Sequence, residues 1–251
     1  MYYIKMIFTP LEKVTITKNN VEDEDISGRV WGYLGSLCRN GQIYKGDTLI
    51  YTEHVLQAFF EMPELDSLDE KNCNRYVIEA LADIKKRFVV TFEVLGRNTE
   101  VNEICSCKDS SWYVLYTHRQ HSASPIVCGD CLAAIPVYKF SDIELPKDLQ
   151  PELGWQAEYN LIDELWYLSS FDRFTYGQMS NPKSQLSRSG REICAAYENA
   201  IGKPFYYFLF LCHSDSRKTR KLCPICDGDW ALKEDIGKLS FKCDRCRLVS
   251  I

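Results

Sequence analysis

Cys223-Pro224-Ile225-Cys226 and Cys243-Asp244-Arg245-Cys246, separated by sixteen residues, form the stretch on which the reading of this chain turns. The spacing is that of a structural zinc ribbon: each C-x-x-C can fold into a tight knuckle holding two thiolates on one side of the chain, and two knuckles complete a tetrahedral site. Four protein ligands leave no open position for water or substrate. Cys223, Cys226, Cys243 and Cys246 are therefore expected to hold Zn2+ as a clasp, which argues against a zinc hydrolase. In so short a segment the metal supplies folding energy that a small core cannot, about 10 to 16 kcal/mol in apparent terms. Two disulfides or four buried thiols are the competing reading.

A second cluster lies upstream, where Cys105-Ser106-Cys107 and Cys128-Gly129-Asp130-Cys131 bracket twenty residues that include the strand-like Trp112-Tyr113-Val114-Leu115-Tyr116. Two cysteine pairs around a hairpin again suggest a ribbon, with Cys105, Cys107, Cys128 and Cys131 holding a second zinc. The C-x-C pair is tighter than the usual knuckle, so His118 or His121 could replace one thiolate. Buried thiols in a small β unit are the alternative. Cys128 and Cys131 could also form a redox pair, but no strand-then-helix context surrounds them.

Twelve cysteines, no secretory leader after Met1 and no apolar run of membrane-spanning length point to a reducing cytoplasm with thiols used for metal. Charge divides unevenly: residues 214–251 carry a net +3 and residues 1–213 a net −8, giving −5 overall. A dedicated nucleic-acid binder shows a strong basic surface, because neutralised phosphates dominate its affinity. Here Arg217, Lys218, Arg220 and Lys221 form a modest cluster that also reads as a solvated linker.

The N-terminal region predicts a β-α-β-β-α-β order. Residues 2–9 form a strand ended by Pro10. The acidic run Glu22-Asp23-Glu24-Asp25, with Ser27 as a cap, leads into a helix carrying Val30, Trp31, Leu34 and Leu37 and stopped by Asn40-Gly41. Strands over 48–52 and 55–62, a helix within 68–87 and a strand over 88–95 follow. This is the split βαβ, ferredoxin-like pattern. Helices over 152–170 and 184–201 come next, then an aromatic strand from Phe205. The expected fold is α+β in four segments: a ferredoxin-like domain (1–98), a central zinc-ribbon-like β unit (99–140), a helical segment with a strand (141–213) and a C-terminal zinc ribbon (214–251).

No catalytic constellation emerges: there is no P-loop, G-x-S-x-G, H-E-x-x-H or zinc-deaminase signature. The chain therefore reads as non-enzymatic. From about residue 100 it resembles a bacterial family of zinc-ribbon-containing proteins of unknown function with a suggested nucleic-acid-binding role. Trp112 to Thr117, Ser124 to Cys131, Leu165-Trp166, Tyr206-Tyr207 and above all Cys223 to Ser250 carry the resemblance. The family's full C-x-x-C first knuckle is here the shorter Cys105-Ser106-Cys107.

Small cytoplasmic proteins of this sort also resemble immunity proteins, and an acidic body suits a blocker of a basic nuclease cleft. The leading expectation is a cognate toxin as partner, met by Glu22, Asp23, Glu24, Asp25, Glu61, Glu64, Asp66, Asp69 and Glu70. The alternative is nucleic acid, gripped by Arg217, Lys218, Arg220, Lys221, Lys242, Arg245 and Arg247. Neither a membrane nor a small-molecule substrate is indicated.

Overall fold

A computed structural model describes residues 1–11, 24–44, 48–52, 54–98, 104–120, 123–146, 151–211 and 222–251. The chain is mixed α+β, with two sheets in two compact units, one comprising Met1–Ile104 and Pro136–Asp142, the other Cys105–Ile135 and Ile143–Ile251. No described helix is long and apolar enough to cross a membrane.

In the first unit the elements run β1 (Tyr2–Pro10), α1 (Glu24–Arg39), β2 (Leu49–Thr52), β3 (Val55–Met62), α2 (Arg75–Ile84) and β4 (Phe88–Arg97). The strands form an antiparallel sheet in the order β2-β3-β1-β4. Alternation along β1 buries Ile4, Met6 and Phe8 on one face. Val30, Leu34 and Leu37 of α1 and Val77 and Ile84 of α2 join the same core. Phe8 meets Tyr33 and Phe88 edge-on, at centroid distances of 6.5 and 6.3 Å.

Two local expectations shift. Helix α1 begins at Glu24, so Ser27 lies inside it and does not cap it. The pattern over 68–87 is broken by Asn74, whose side chain accepts the Val77 N–H at 3.0 Å; a short 3-10 turn over Glu70–Asn72 precedes that cap and α2 follows it.

The second unit holds β5 (Tyr113–Leu115), β6 (Ile126–Cys128), α3 (Glu152–Tyr167), α4 (Asp172–Ser180), α5 (Gln185–Ile201), β7 (Phe205–Phe208), β8 (Ala231–Ile236), β9 (Leu239–Cys243) and β10 (Leu248–Ser250). Its sheet runs β6-β5-β7-β10-β9-β8, with β7 parallel to both β5 and β10. Segments read separately in the sequence, 99–140, 141–213 and 214–251, thus contribute strands to one sheet. The aromatic strand β7 is buried along its whole length. Ser184 caps α5 by accepting the Ser187 N–H at 3.1 Å. That helix lies so close to the sheet that a Cβ on Gly190 would overlap the Tyr207 ring and come within 2.8 Å of the Trp155 indole nitrogen. The single helix expected over 152–170 ends at Tyr167, and α4 follows after a turn in which Ser169 and Phe171 have positive φ.

Candidate metal centres

Both cysteine sets converge as the spacing predicts. The sulfurs of Cys223, Cys226, Cys243 and Cys246 lie within 4.8 Å of one another, and so do those of Cys105, Cys107, Cys128 and Cys131. The separations of 3.7 Å between Cys226 and Cys243 and 3.6 Å between Cys131 and Cys105 approach the edge of a tetrahedron with metal–sulfur bonds of about 2.3 Å, which is about 3.8 Å. Each set could hold a metal ion. All described cysteines are free thiols.

Three of the four half-sites share one backbone device. Leu132, Asp227 and Arg247, the residues directly after Cys131, Cys226 and Cys246, all have left-handed backbone, with φ of 58°, 55° and 52°. None is glycine, and a left-handed L-residue is strained by roughly 1 to 2 kcal/mol. The turn is closed by backbone hydrogen bonds: Leu132 N–H to Cys128 C=O at 2.9 Å, and Asp227 N–H to Cys223 C=O at 3.0 Å. The fourth half-site, Cys105-Ser106-Cys107, lacks this turn and instead points the Cys107 N–H at the Cys105 sulfur, 3.4 Å away. The Cys105 N–H bonds to the Ala134 carbonyl at 2.8 Å, which brings the shorter pair to the knuckle. Four cysteines fill the central set, so His118 supplies no ligand; it packs beside Tyr116. His121 lies outside the described residues.

Sheet register places both sets at one edge. Cys128 ends β6 opposite Tyr113, where β5 begins, and Cys243 ends β9 opposite Leu248, where β10 begins. With β5, β7 and β10 parallel, these ends lie on the same side of the sheet, four strand spacings or about 19 Å apart.

Each set contains one thiol poised to ionise. The Gly228 N–H, with help from neighbouring thiols, pulls Cys226 down to about 7. At Cys128 burial opposes ionisation, but the Ser110 hydroxyl, 3.2 Å from the sulfur, and the Cys131 and Asp130 N–H groups outweigh it and lower its pKa. Burial instead pushes Cys105 up to about 12 and raises Cys243 and Cys246. The loop before β5 is tied down around this site: Asp130 accepts the Ser111 N–H at 2.7 Å, and Lys203 reaches Asp109 and the Ser110 carbonyl.

Beside the C-terminal set lies a cavity of about 640 Å³ between α5 and the two knuckles, lined by Arg191, Glu198, Cys226, Asp244, Arg245 and Arg247 among others. Arg247 donates to both carboxylate oxygens of Glu198 at 2.7 to 3.0 Å, fastening the knuckle to α5. Asp244 is matched by Lys242 and by the Tyr206 hydroxyl, each at 2.6 Å. Arg191 and Arg245 have no ion-pair partner among the described residues.

Comparison with known proteins gives a family but no activity. The model described as domain of unknown function DUF2310 matches residues 107–210, and that of domain of unknown function DUF8594 matches residues 213–251. An uncharacterized protein of Haemophilus influenzae is 32% identical over 261 residues, covering 100% of this chain and 97% of its own length. This chain belongs to the family of that protein. A second uncharacterized Haemophilus influenzae protein is 33% identical over 165 residues, 63% of this chain and 80% of the relative. A conserved protein from Methanosarcina mazei Go1 aligns with 39% of this chain and 95% of its own at 10% identity and a TM-score of 0.28.

The charged residues expected to meet a partner fare unevenly. Glu61 is only 2% exposed, and its carboxylate accepts the Asn98 side-chain N–H at 2.9 Å, so it is not a surface acid. Its strand gains an extra neighbour there, because Tyr44 and Glu61 exchange backbone hydrogen bonds of 2.7 and 2.9 Å. Glu64 is held by the Tyr138 hydroxyl at 2.6 Å and by Lys139 at 2.9 Å. Asp66 pairs with Lys71 at 2.6 Å and Asp69 lies 3.8 Å from the same ammonium; Asp69 and Glu70 are the exposed acids of the group. Glu22, Asp23 and the side chains of Glu24 and Asp25 lie outside the described residues, as do Arg217, Lys218, Arg220 and Lys221. Of the basic candidates, Lys242 and Arg247 are engaged structurally, and Arg245 is exposed. Arg191 was missed by sequence reasoning: eight ordinary residues before Asn199 on a helix, it gives no local sign that it shares a cavity with the ribbon.

Proposed function

We propose that this chain is a non-enzymatic, cytoplasmic zinc protein that binds single-stranded nucleic acid, with phosphate taken up in the cavity beside the C-terminal centre. Zinc suits eight thiolates in two tetrahedral sets, and four-thiolate coordination closes the metal to substrate. When bound, the ions contribute folding energy and leave recognition to the surrounding side chains. The N-terminal unit is read as ferredoxin-like, a reading supported by its β2-β3-β1-β4 order and two intervening helices.

The carrying observation is the charge balance of the cavity wall. Glu198 and Asp244 are already matched by Arg247 and Lys242, while Arg191 and Arg245, with no ion-pair partner among the described residues, are assigned to the guest. The volume suits a nucleotide-sized guest, and a concave wall suits a flexible strand better than a duplex. The thiolates of the metal set are partly compensated by backbone N–H groups, so an incoming phosphate is best placed on the arginine side of the cavity.

Fluorescence anisotropy with a short labelled single strand tests this. Wild-type protein should bind with an affinity that falls with salt, and Arg191→Glu with Arg245→Glu should abolish binding while metal content stays the same. Absence of binding by the wild type at low salt would refute the proposal. The second reading, a toxin inhibitor, retains the net charge of −5 and the exposed Asp69 and Glu70 as its support. Stable co-purification with a toxin, slowed by reversing those two charges, would favour it.

A further inference from the structure

We infer that a second copy of this chain pairs with the outer edge of β4, joining two four-stranded sheets into one of eight strands. Strand β4 is the last in the order β2-β3-β1-β4, and no strand among the described residues lies on its far side. Its inner side is bonded to β1 from Tyr2↔Arg97 to Pro10↔Phe88. Every second peptide group on the outer side is therefore directed away from the sheet.

Soluble proteins guard such edges with lysines, prolines, bulges or short length. Strand β4 has ten residues and one bulge, at Leu95, the extra residue between the pairs Ile4↔Val94 and Tyr3↔Gly96; from Phe88 to Val94 it is regular, with no proline and a single charge, Glu93, which is already paired with Lys5 of β1. Val89, Phe92, Val94 and Leu95 each leave between 42% and 50% of their surface in solvent. Phe92 and Val94 lie on the face of Met6 and Ile4 and Val89 on the other, so the apolar exposure is not confined to one uncovered face.

The sequence of the strand is what selects a second copy as the occupant. Antiparallel pairing of the regular part of β4 with itself about Phe92 sets Phe92 against Phe92 and Val90 against Val94, with Thr91 opposite Glu93, and brings Val89 beside the bulge at Leu95. From Val90 to Val94 every apolar residue then meets an apolar one, and the only carboxylate faces a hydroxyl that can donate to it. Centring the pair one residue later would oppose the two Glu93 side chains, and one residue earlier would set Val89 against Glu93. The favoured register is thus specified by the strand alone, and it closes as a two-fold pair with no further edge exposed at β4.

Sedimentation analysis of the full metal-loaded chain, paired with hydrogen exchange, tests this. The wild type should sediment at twice the chain mass of 29.1 kDa, and Phe92→Lys, which opposes two lysines at the centre of the pair, should sediment as a single chain with unchanged metal content and circular dichroism. In the wild type, amide protection over 89–95 should rise with protein concentration. If the wild type stays a single chain with concentration-independent exchange in β4, or if Phe92→Lys folds and remains a dimer, the inference is overturned. Should Phe92→Lys fail to fold, the exchange measurement on the wild type decides alone.

Discussion

Gly129 lies against the indole of Trp112 so closely that a Cβ at this position would overlap the ring. The Gly129 N–H also bonds to the Trp112 carbonyl at 2.8 Å, so the loop cannot retreat from the indole without breaking its approach to β5. Gly129→Ala should therefore displace the Cys128–Cys131 knuckle, destabilising the second unit by about 1 to 3 kcal/mol, as overpacking does. The central set should lose its metal and the C-terminal set should keep it. Metal analysis beside urea denaturation reads both effects.

Left-handed backbone after the second cysteine gives an independent check on the knuckles. Asp227 has φ of 55° and an exposed side chain, so the conformation and not the carboxylate is at stake. Replacement by glycine should be neutral or stabilising by up to about 1 kcal/mol, whereas valine, branched at Cβ, should cost about 1 to 2 kcal/mol. Equal effects of the two replacements would show that the turn is not held as described.

The ligand sets could be read from sequence because a knuckle is local: its sulfurs are brought together by a turn of a few residues. Strands β1 to β4 were readable for a similar reason, since alternation in a half-buried strand is written residue by residue. What unites β5, β6 and β7 with the ribbon is long-range pairing, and no local pattern in Tyr113–Leu115 or Leu248–Ser250 names its partner. Glu61 failed for the same reason. Its place in β3 fits a solvent-facing residue until Tyr44, seventeen residues earlier in the chain, pairs with it. The break at Asn74 was legible in principle, because asparagine is a preferred cap, but the apolar spacing on either side continues across it.

Glu152, buried at the start of α3, sets a pH dependence. Burial raises its pKa above the usual carboxylate value despite the hydrogen bond from Tyr197. A carboxyl raised in the folded state favours folding most when protonated; that contribution is complete below its unfolded pKa and is lost as pH rises through the folded one. Glu152→Gln, which keeps an acceptor for Tyr197, should therefore stabilise the protein at neutral pH and make little difference near pH 4. Urea midpoints at the two pH values report the effect, and a gain of the same size at both would mean that ionisation is not its source.

Arg247 and Glu198 join the C-terminal knuckle to α5 through a two-pronged contact, and the same carboxylate accepts the Phe205 N–H at 3.1 Å. Lysine cannot reproduce the fork, so Arg247→Lys should lose most of what Arg247→Ala loses. A double-mutant cycle with Glu198→Gln should give a coupling of about 1 kcal/mol, the upper range for a partly exposed pair. Coupling near zero would mean that the pair forms without contributing to stability.

Separate centres on one sheet edge lead to the sharpest expectation about metal. About 19 Å of sheet lies between them and they share no ligand, so each substitution should strip its own ion first, with a weaker effect carried to the other centre through Leu132, which packs against Gly237 of the β8–β9 turn. Cys128→Ser should reduce bound zinc from two ions per chain to one, and Cys243→Ser should do the same. The consequences for structure should differ. Cys243 ends β9, whose neighbour β10 pairs directly with the buried strand β7, so its loss should loosen β8 to β10 and expose Trp230, whose ring lies 4.9 Å from that of Phe241, tilted by 32°. Cys128→Ser should leave Trp230 in place and disturb instead Trp112, which packs on Gly129 of the central knuckle. Because bound thiols must be deprotonated, zinc should be released from both centres as pH falls, and excess chelator at neutral pH should give the spectral changes expected of both substitutions together. If a single substitution strips both ions, the centres are one cooperative unit and not two independent clasps.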